Sequence, residues 1–210
     1  PPAASDTAGG VVAIVNASVG TDLYLGQFCG GVIISENAVA TATHCVSAED
    51  GSTVKVAAGV RDLCDEQERG REVVAVASAE VVPGTGGTVT LLHLTTPLLS
   101  TLALGQSGAG PIEALGWGRQ SLAGVTRCDL RSVPLTSTNP EMCAGLEPNI
   151  PPGAFICTLP SDATNTCDGD SGGPVYIYDG EGSLAQLAMT MSGFGCGPSS
   201  PGLNVLLDLV

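Results

Sequence analysis

Two short runs hold the residue types that could do chemistry. Thr166–Pro174 reads TCDGDSGGP, and Thr41–Cys45 reads TATHC. A serine hydroxyl is a poor nucleophile at neutral pH and needs a base beside it. That base needs a further group that orients it and stabilises its charged form. Ser171 has glycines on both sides, which leaves its oxygen open and the backbone N–H groups of Gly169 and Ser171 free to meet a developing oxyanion. His44 stands beside Cys45 at the expected end of a strand, where a disulfide can hold it still. The chemistry on offer is acyl transfer to a serine activated by a histidine.

The elements that must position these residues follow from composition and pattern. With 210 residues the chain can bury a large core, and 43% hydrophobic against 13% charged residues makes it globular rather than disordered. Gly 29 and Pro 14, many Val, Thr and Ser, and few helix formers predict short strands joined by tight turns, an all-β protein. Strands are predicted at Val11–Asn16, Phe28–Ser35, Ala38–Thr43, Val54–Ala58, Glu72–Ala77 and Val89–Leu94. They resume at Ile112–Leu115, Arg131–Leu135, Pro174–Tyr178, Leu184–Ser192 and Leu203–Leu207, with Leu98–Gly110 as the crossover between halves. This spacing suits a barrel or a sandwich. Only the last few residues read as the start of a helix.

Charge and cysteine content narrow the setting. Seven basic against 21 acidic residues give a formal net charge of −14, which excludes nucleic acid and anionic membrane as natural partners. The charge reads first as a solvating acidic surface, with steering of cationic partners as the alternative. The cysteines number 8, are widely spaced, and complete no zinc pattern with the only two histidines, His44 and His93. A disulfide-bonded, secreted protein accounts for them better. No apolar run approaches the length of a membrane helix, and PPAASDTAGG is neither basic nor apolar, so the chain reads as a mature or trimmed form. Asn16-Ala17-Ser18 is a glycosylation sequon, relevant in a eukaryotic source.

Taken together, TATHC, GWG at Gly116–Gly118 and GDSGGP at Gly169–Pro174, with FCGG before the histidine and MCAG at Met142–Gly145, resemble the chymotrypsin/trypsin family of serine proteases. The motifs stand in family order and the resemblance runs from about Val11 to Leu207. It implies two packed six-stranded antiparallel β-barrels, residues 1–105 carrying the histidine and 106–210 carrying the serine, with the site in the cleft between them. It implies His44 as general base, Ser171 as nucleophile and an oxyanion hole from Gly169 and Ser171. It also implies disulfides Cys29–Cys45 and Cys167–Cys196. For the remaining cysteines the expected pairs are Cys64–Cys128 and Cys143–Cys157. The implied partners are protein or peptide substrates or binding partners, met by a monomer with no cofactor and no metal.

The sequence departs from the family where the third triad member belongs. The matching run is Thr88-Val89-Thr90-Leu91-Leu92-His93-Leu94, which puts Thr88 at the position of the acid, and no Asp or Glu occurs between Glu80 and Glu113. A threonine hydroxyl can accept a hydrogen bond but brings no charge. Loss of the acid in such a triad lowers turnover by roughly ten-thousand-fold. The chain therefore reads as an impaired or inactive homologue that binds or regulates other proteins, with an active endopeptidase as the alternative. A second departure is the opening Pro1-Pro2-Ala3-Ala4, where the family inserts a freshly cut Ile-Val-Gly-Gly whose ammonium pairs with the residue matching Asp170. The chain also stops short of the family's C-terminal helix.

Counting back six residues from the serine puts Asn165 at the floor of the specificity pocket, in place of the acid that would select Arg or Lys. Gly193 and Gly202 are expected along its walls. Ser192 falls where a substrate-stacking tryptophan normally lies, with Phe194 as the substitute if the loop shifts. The pocket is read as uncharged. Asp168 is expected at its mouth, as a solvated acid or an attractor of basic residues. His93 reads as a surface histidine, and Trp117 as core or inter-barrel packing.

Overall fold

The computed structural model describes residues 10–46, 51–99, 111–178 and 184–209. Twelve strands make two closed antiparallel barrels, the all-β trypsin-like architecture expected from the sequence. The first barrel contains β1 (Val11–Asn16), β2 (Gln27–Ser35), β3 (Ala38–Ala42), β4 (Val54–Ala58), β5 (Glu72–Val81) and β6 (Val89–Leu94), in the order β1-β2-β3-β6-β5-β4. The second contains β7 (Ile112–Gly116), β8 (Arg131–Thr138), β9 (Phe155–Pro160), β10 (Pro174–Tyr178), β11 (Leu184–Gly193) and β12 (Gly202–Leu206), in the order β10-β11-β12-β9-β8-β7. The crossover between halves falls largely in residues 100–110, outside the described residues.

β-Branched and aliphatic runs form these strands because the closed sheets bury one face and the packing of the two barrels covers much of the other. In β1 all five residues Val11–Val15 are buried, which explains a run without polar alternation. Val12 and Ile14 face the larger core cluster, whereas Val11, Ala13 and Val15 face a second cluster with Leu115, Trp117 and Tyr176. That second cluster draws on both barrels, so Trp117, fully buried, is inter-barrel packing as expected.

The structure differs from the pattern reading chiefly in three features. β9 was absent from it, β5 runs four residues beyond the predicted end, and one helical turn, α1 (Leu23–Gly26), is capped by the Asp22 carboxylate accepting from Leu25 N at 3.0 Å. β9 exists because it closes the second barrel between β8 and β12, and β5 continues past a register shift at Val76/Ser78 to keep its pairing with β6. The last described residues, Leu207–Leu209, form a 3-10 turn. All four expected disulfides are formed: Cys29–Cys45, Cys64–Cys128, Cys143–Cys157 and Cys167–Cys196. Among the described residues no helix is long and apolar enough to cross a membrane.

Candidate active site

His44 sits in a 3-10 turn, Thr43–Cys45, immediately after β3. The turn is fixed on both sides. Cys45 is bonded to Cys29 on β2, Thr43 N donates to Thr88 O at 2.8 Å, and the Thr43 and Thr90 hydroxyls share a hydrogen bond at 2.9 Å. The ring is left as the free part of a rigid corner. His44 is exposed, yet partial loss of hydration is the largest influence on it and lowers its pKa below the ordinary imidazole value, while the Glu147 carboxylate pulls it back up. The ring is therefore mostly neutral at neutral pH, the form a base must have.

Ser171 is carried by the turn between Cys167 and β10. Asp170 N donates to Cys167 O at 3.0 Å and Gly173 N to Asp170 O at 2.9 Å, which curls the chain tightly around the serine. Gly172 has φ 83°, and a β-carbon there would also collide with Gly30 O and the Thr41 hydroxyl. No other residue fits that position. Gly30 N donates to Ser171 O at 2.7 Å, so the serine turn of the second barrel is bonded directly to β2 of the first. Among the described residues neither Gly169 N nor Ser171 N has a protein acceptor.

Asp170 explains the GWG motif. Its carboxylate turns away from the cleft, accepting from Gly118 N at 2.8 Å and Cys167 N at 2.9 Å. A β-carbon on Gly116 or Gly118 would strike that carboxylate, so the two glycines exist to admit it. Burial pushes its pKa up to about 6, opposed by the two N–H donors and assisted slightly by the charge of Asp168. No described cation pairs with it, and residues 1–9 lie outside the described residues.

The structure brings His44, Ser171, Ser192 and Gly193 onto one open cleft of about 440 Å³. Thr190, Phe194 and Leu122 also border it; the sequence offered no signal for Thr190 or Leu122. The Thr190 and Ser192 hydroxyls are buried without a protein partner. Asp168 borders the cleft as expected, and lies 3.7 Å from Arg119 in an exposed pair worth little. No hydrogen bond joins the His44 ring to Ser171 or Thr88 among the described residues. Such bonds are often long before substrate arrives.

Four of the expected site residues, Gly169, Asn165, Gly202 and Thr88, are not among those that border the cleft. Asn165 does not border the cleft: its amide donates to Gly197 O at 2.9 Å and Ser200 O at 2.8 Å, and its oxygen accepts from Thr166 N at 2.9 Å. An amide with two donors matches two loop carbonyls, so the side chain is a clamp, bordering instead a small cavity of about 40 Å³ beside Asp170. Gly202 lies one strand behind the cleft, paired with Gly193 across β11 and β12. Thr88 is half-buried and gives its hydroxyl to Thr85 O at 2.7 Å, so even its dipole is spent elsewhere. His93 is a surface residue as expected, 3.2 Å from Glu80.

The two described groups with ligand-like spacing are Cys29, His44, Cys45 and Asp62, Cys64, Cys128, and in each the cysteines are disulfide-bonded. Their sulfurs are not available as thiolate ligands.

Comparison with known proteins agrees with the geometry. The family model described as Trypsin matches residues 5–206. The chain is 29% identical to a trypsin-like protease of Streptomyces glaucescens over 86% of its own length and 71% of that protein. It is 27% identical to a trypsin of Saccharopolyspora erythraea, over 84% of the chain and 81% of the relative. It is 28% identical to trypsin-1 of Astacus astacus, over 84% and 82%.

Proposed function

The chain belongs to the trypsin family, and from that premise we propose that it is a serine protease homologue of strongly attenuated turnover, acting on peptide bonds through Ser171 and His44. The observation that carries the reading is the shared cleft, which both side chains border, together with the amides of Gly169 and Ser171 that have no protein acceptor among the described residues. A binding relic has no catalytic need for the left-handed glycine at 172 and the Asp170 anchor that shape the serine turn.

In this reading the Ser171 Oγ attacks the scissile carbonyl while its proton passes to His44. The carbonyl electrons move onto oxygen, which meets the amides of Gly169 and Ser171. Collapse expels the amine with the proton from His44 and leaves an acyl-serine, which water hydrolyses by the reverse sequence. The charge that forms on His44 has no carboxylate at Thr88 to stabilise it, which sets the attenuation. Ser192, Gly193, Thr190 and Phe194 give the cleft a wall without charge, suited to polar or apolar side chains, while Asp168 stands at its border. Four disulfides fit an extracellular protein, and we place its work outside the cell, as a monomer.

One observation favours a second reading, a non-catalytic homologue that binds or regulates other proteins: the Thr88 hydroxyl is turned to Thr85 O and away from the histidine. Fluorophosphonate labelling separates the two. Slow labelling that vanishes in Ser171→Ala supports the attenuated protease. No labelling of the parent protein over hours supports the binding homologue and overturns the first reading.

A further inference from the structure

Two carbonyls of the serine turn are held by one strand of the other barrel. Gly30 N on β2 donates to Ser171 O at 2.7 Å, and Gln27 Nε2, earlier on the same strand, donates to Gly169 O at 2.8 Å. The first is a backbone bond, open to any residue but proline. The second needs a particular side chain. Gln27 opens β2 where its pairing with β1 slips by one residue: Val15 faces Gln27, Ile14 faces Cys29, and Phe28 between them has no partner on β1. Such a bulge bends a strand and re-aims its side chains. Gln27 is 5% exposed, whereas Phe28 is exposed. The same Nε2 also donates to Cys29 O at 3.2 Å. Both acceptors are carbonyls, so the amide can be set only one way round, with its nitrogen toward Gly169. The Gln27 Oε1 is then left buried without a protein donor among the described residues. An unpaired buried acceptor destabilises a fold, and an apolar side chain of similar length would pack there without that loss. Packing alone does not account for a glutamine at this position.

What Gln27 holds is a residue with no stiffness of its own. Gly169 stands at φ 98°, and a β-carbon on it would come within 3.1 Å of Gly118 Cα. Glycine moves freely through such conformations, so its neighbours must fix it. The peptide before it is held by Arg119 N, which donates to Asp168 O at 2.9 Å. The peptide after it is held by Gln27 at Gly169 O and by Cys167 O, which accepts from Asp170 N at 3.0 Å. Resting on the reading that Ser171 reacts and that the Gly169 and Ser171 amides meet the oxyanion, we propose that Gln27 is a positioning residue of this site. From the first barrel it locks the peptide that follows Gly169, and so keeps the Gly169 N–H aimed at the developing charge. The oxyanion site of the second barrel is therefore complete only when the first barrel has closed against it.

The test uses the full chain with a chromogenic peptide ester, together with proton–nitrogen NMR of the Gly169 amide. Gln27→Met keeps the length of the side chain and removes the donor. Gln27→Glu keeps the shape and, once ionised, sets an oxygen against two carbonyls; the methionine variant decides wherever the buried glutamate prevents folding. The expected result for Gln27→Met is kcat lowered at least about tenfold with KM unchanged, because the oxyanion is met only in the transition state. Gln27→Glu should lose at least as much. The Gly169 amide signal should be displaced or split in Gln27→Met, with the ring signals of His93 unmoved. A lower unfolding temperature with kcat intact would assign Gln27 to stability alone and overturn the proposal, as would a loss confined to KM. If the parent protein neither turns over nor labels with a fluorophosphonate, the proposed activity falls. In that case a displaced Gly169 signal in Gln27→Met still upholds Gln27 as the anchor of that amide, and an unmoved one overturns it.

Discussion

Stability should fall as pH rises through Asp170, and the size of the fall follows from where its carboxylate sits. In an unfolded chain the group titrates near its ordinary 3.8; buried behind Gly116 and Gly118 it titrates at about 6. The folded state thus binds the proton more tightly than the unfolded state. Below about pH 4 both states are protonated and there is no penalty. Between there and about pH 6 the unfolded state loses its proton first, so unfolding becomes easier, and above pH 6 the full penalty applies. The gap between the two values corresponds to about 3 kcal/mol. Asp170→Asn removes the titration but leaves one amide N–H facing the N–H of Gly118 or Cys167, a cost of about 1–3 kcal/mol that does not vary with pH. Urea unfolding of both proteins between about pH 4 and about pH 7 isolates the effect, because the many other acids contribute equally to each and cancel. The stability advantage of the parent over Asp170→Asn should shrink by about 3 kcal/mol across that range. A difference that stays flat would show that burial does not govern this group. A difference that grows with pH would refute the reasoning outright, since it requires a cation, such as an inserted chain terminus, paired with Asp170.

Further outcomes follow from the same geometry. Thr88→Asp, which restores a carboxylate beside the His44 corner, should raise the fluorophosphonate labelling rate by up to roughly a thousand-fold; no increase would show that the 88 position does not reach the ring. The labelling rate should lose half its value on acidification at a pH below the ordinary imidazole value of 6.5, because partial burial lowers the His44 pKa; a midpoint above 6.5 would contradict this. Asn165→Asp should not create a preference for Arg or Lys substrates. It places a carboxylate against the carbonyls of Gly197 and Ser200 and should cost about 2–4 kcal/mol in urea unfolding. Gly118→Ala should cost at least about 1–3 kcal/mol and slow labelling, because its β-carbon displaces the Asp170 carboxylate that anchors the serine turn.

Local sequence determined a good deal of this protein. The strands β1, β4, β6 and β10 begin and end where their β-branched runs do, because each run is bounded by a turn-forming or polar residue. The serine and histidine turns were legible because each demands glycines or a cysteine at fixed offsets, and an even cysteine count in a chain without a zinc pattern left disulfides as the economical account. The same local reading also showed that the acid of the triad is missing, since no carboxylate occurs on that strand.

What tertiary structure alone decided concerns groups whose partners lie far along the chain. β9 carries strand-favouring Phe155, Ile156 and Thr158 in a short run flanked by prolines, and its place is decided by β8 and β12, which pair with it on either side. Counting from the serine located Asn165 along the chain but not its direction, which two carbonyls of the 197–200 loop fix by hydrogen bonding. The reason for two glycines in GWG appeared only when the Asp170 carboxylate was found between them. Offsets in sequence specify local turns because a few bonds connect the atoms involved. They say nothing of Gly30 and Ser171, whose hydrogen bond depends on two barrels closing against each other.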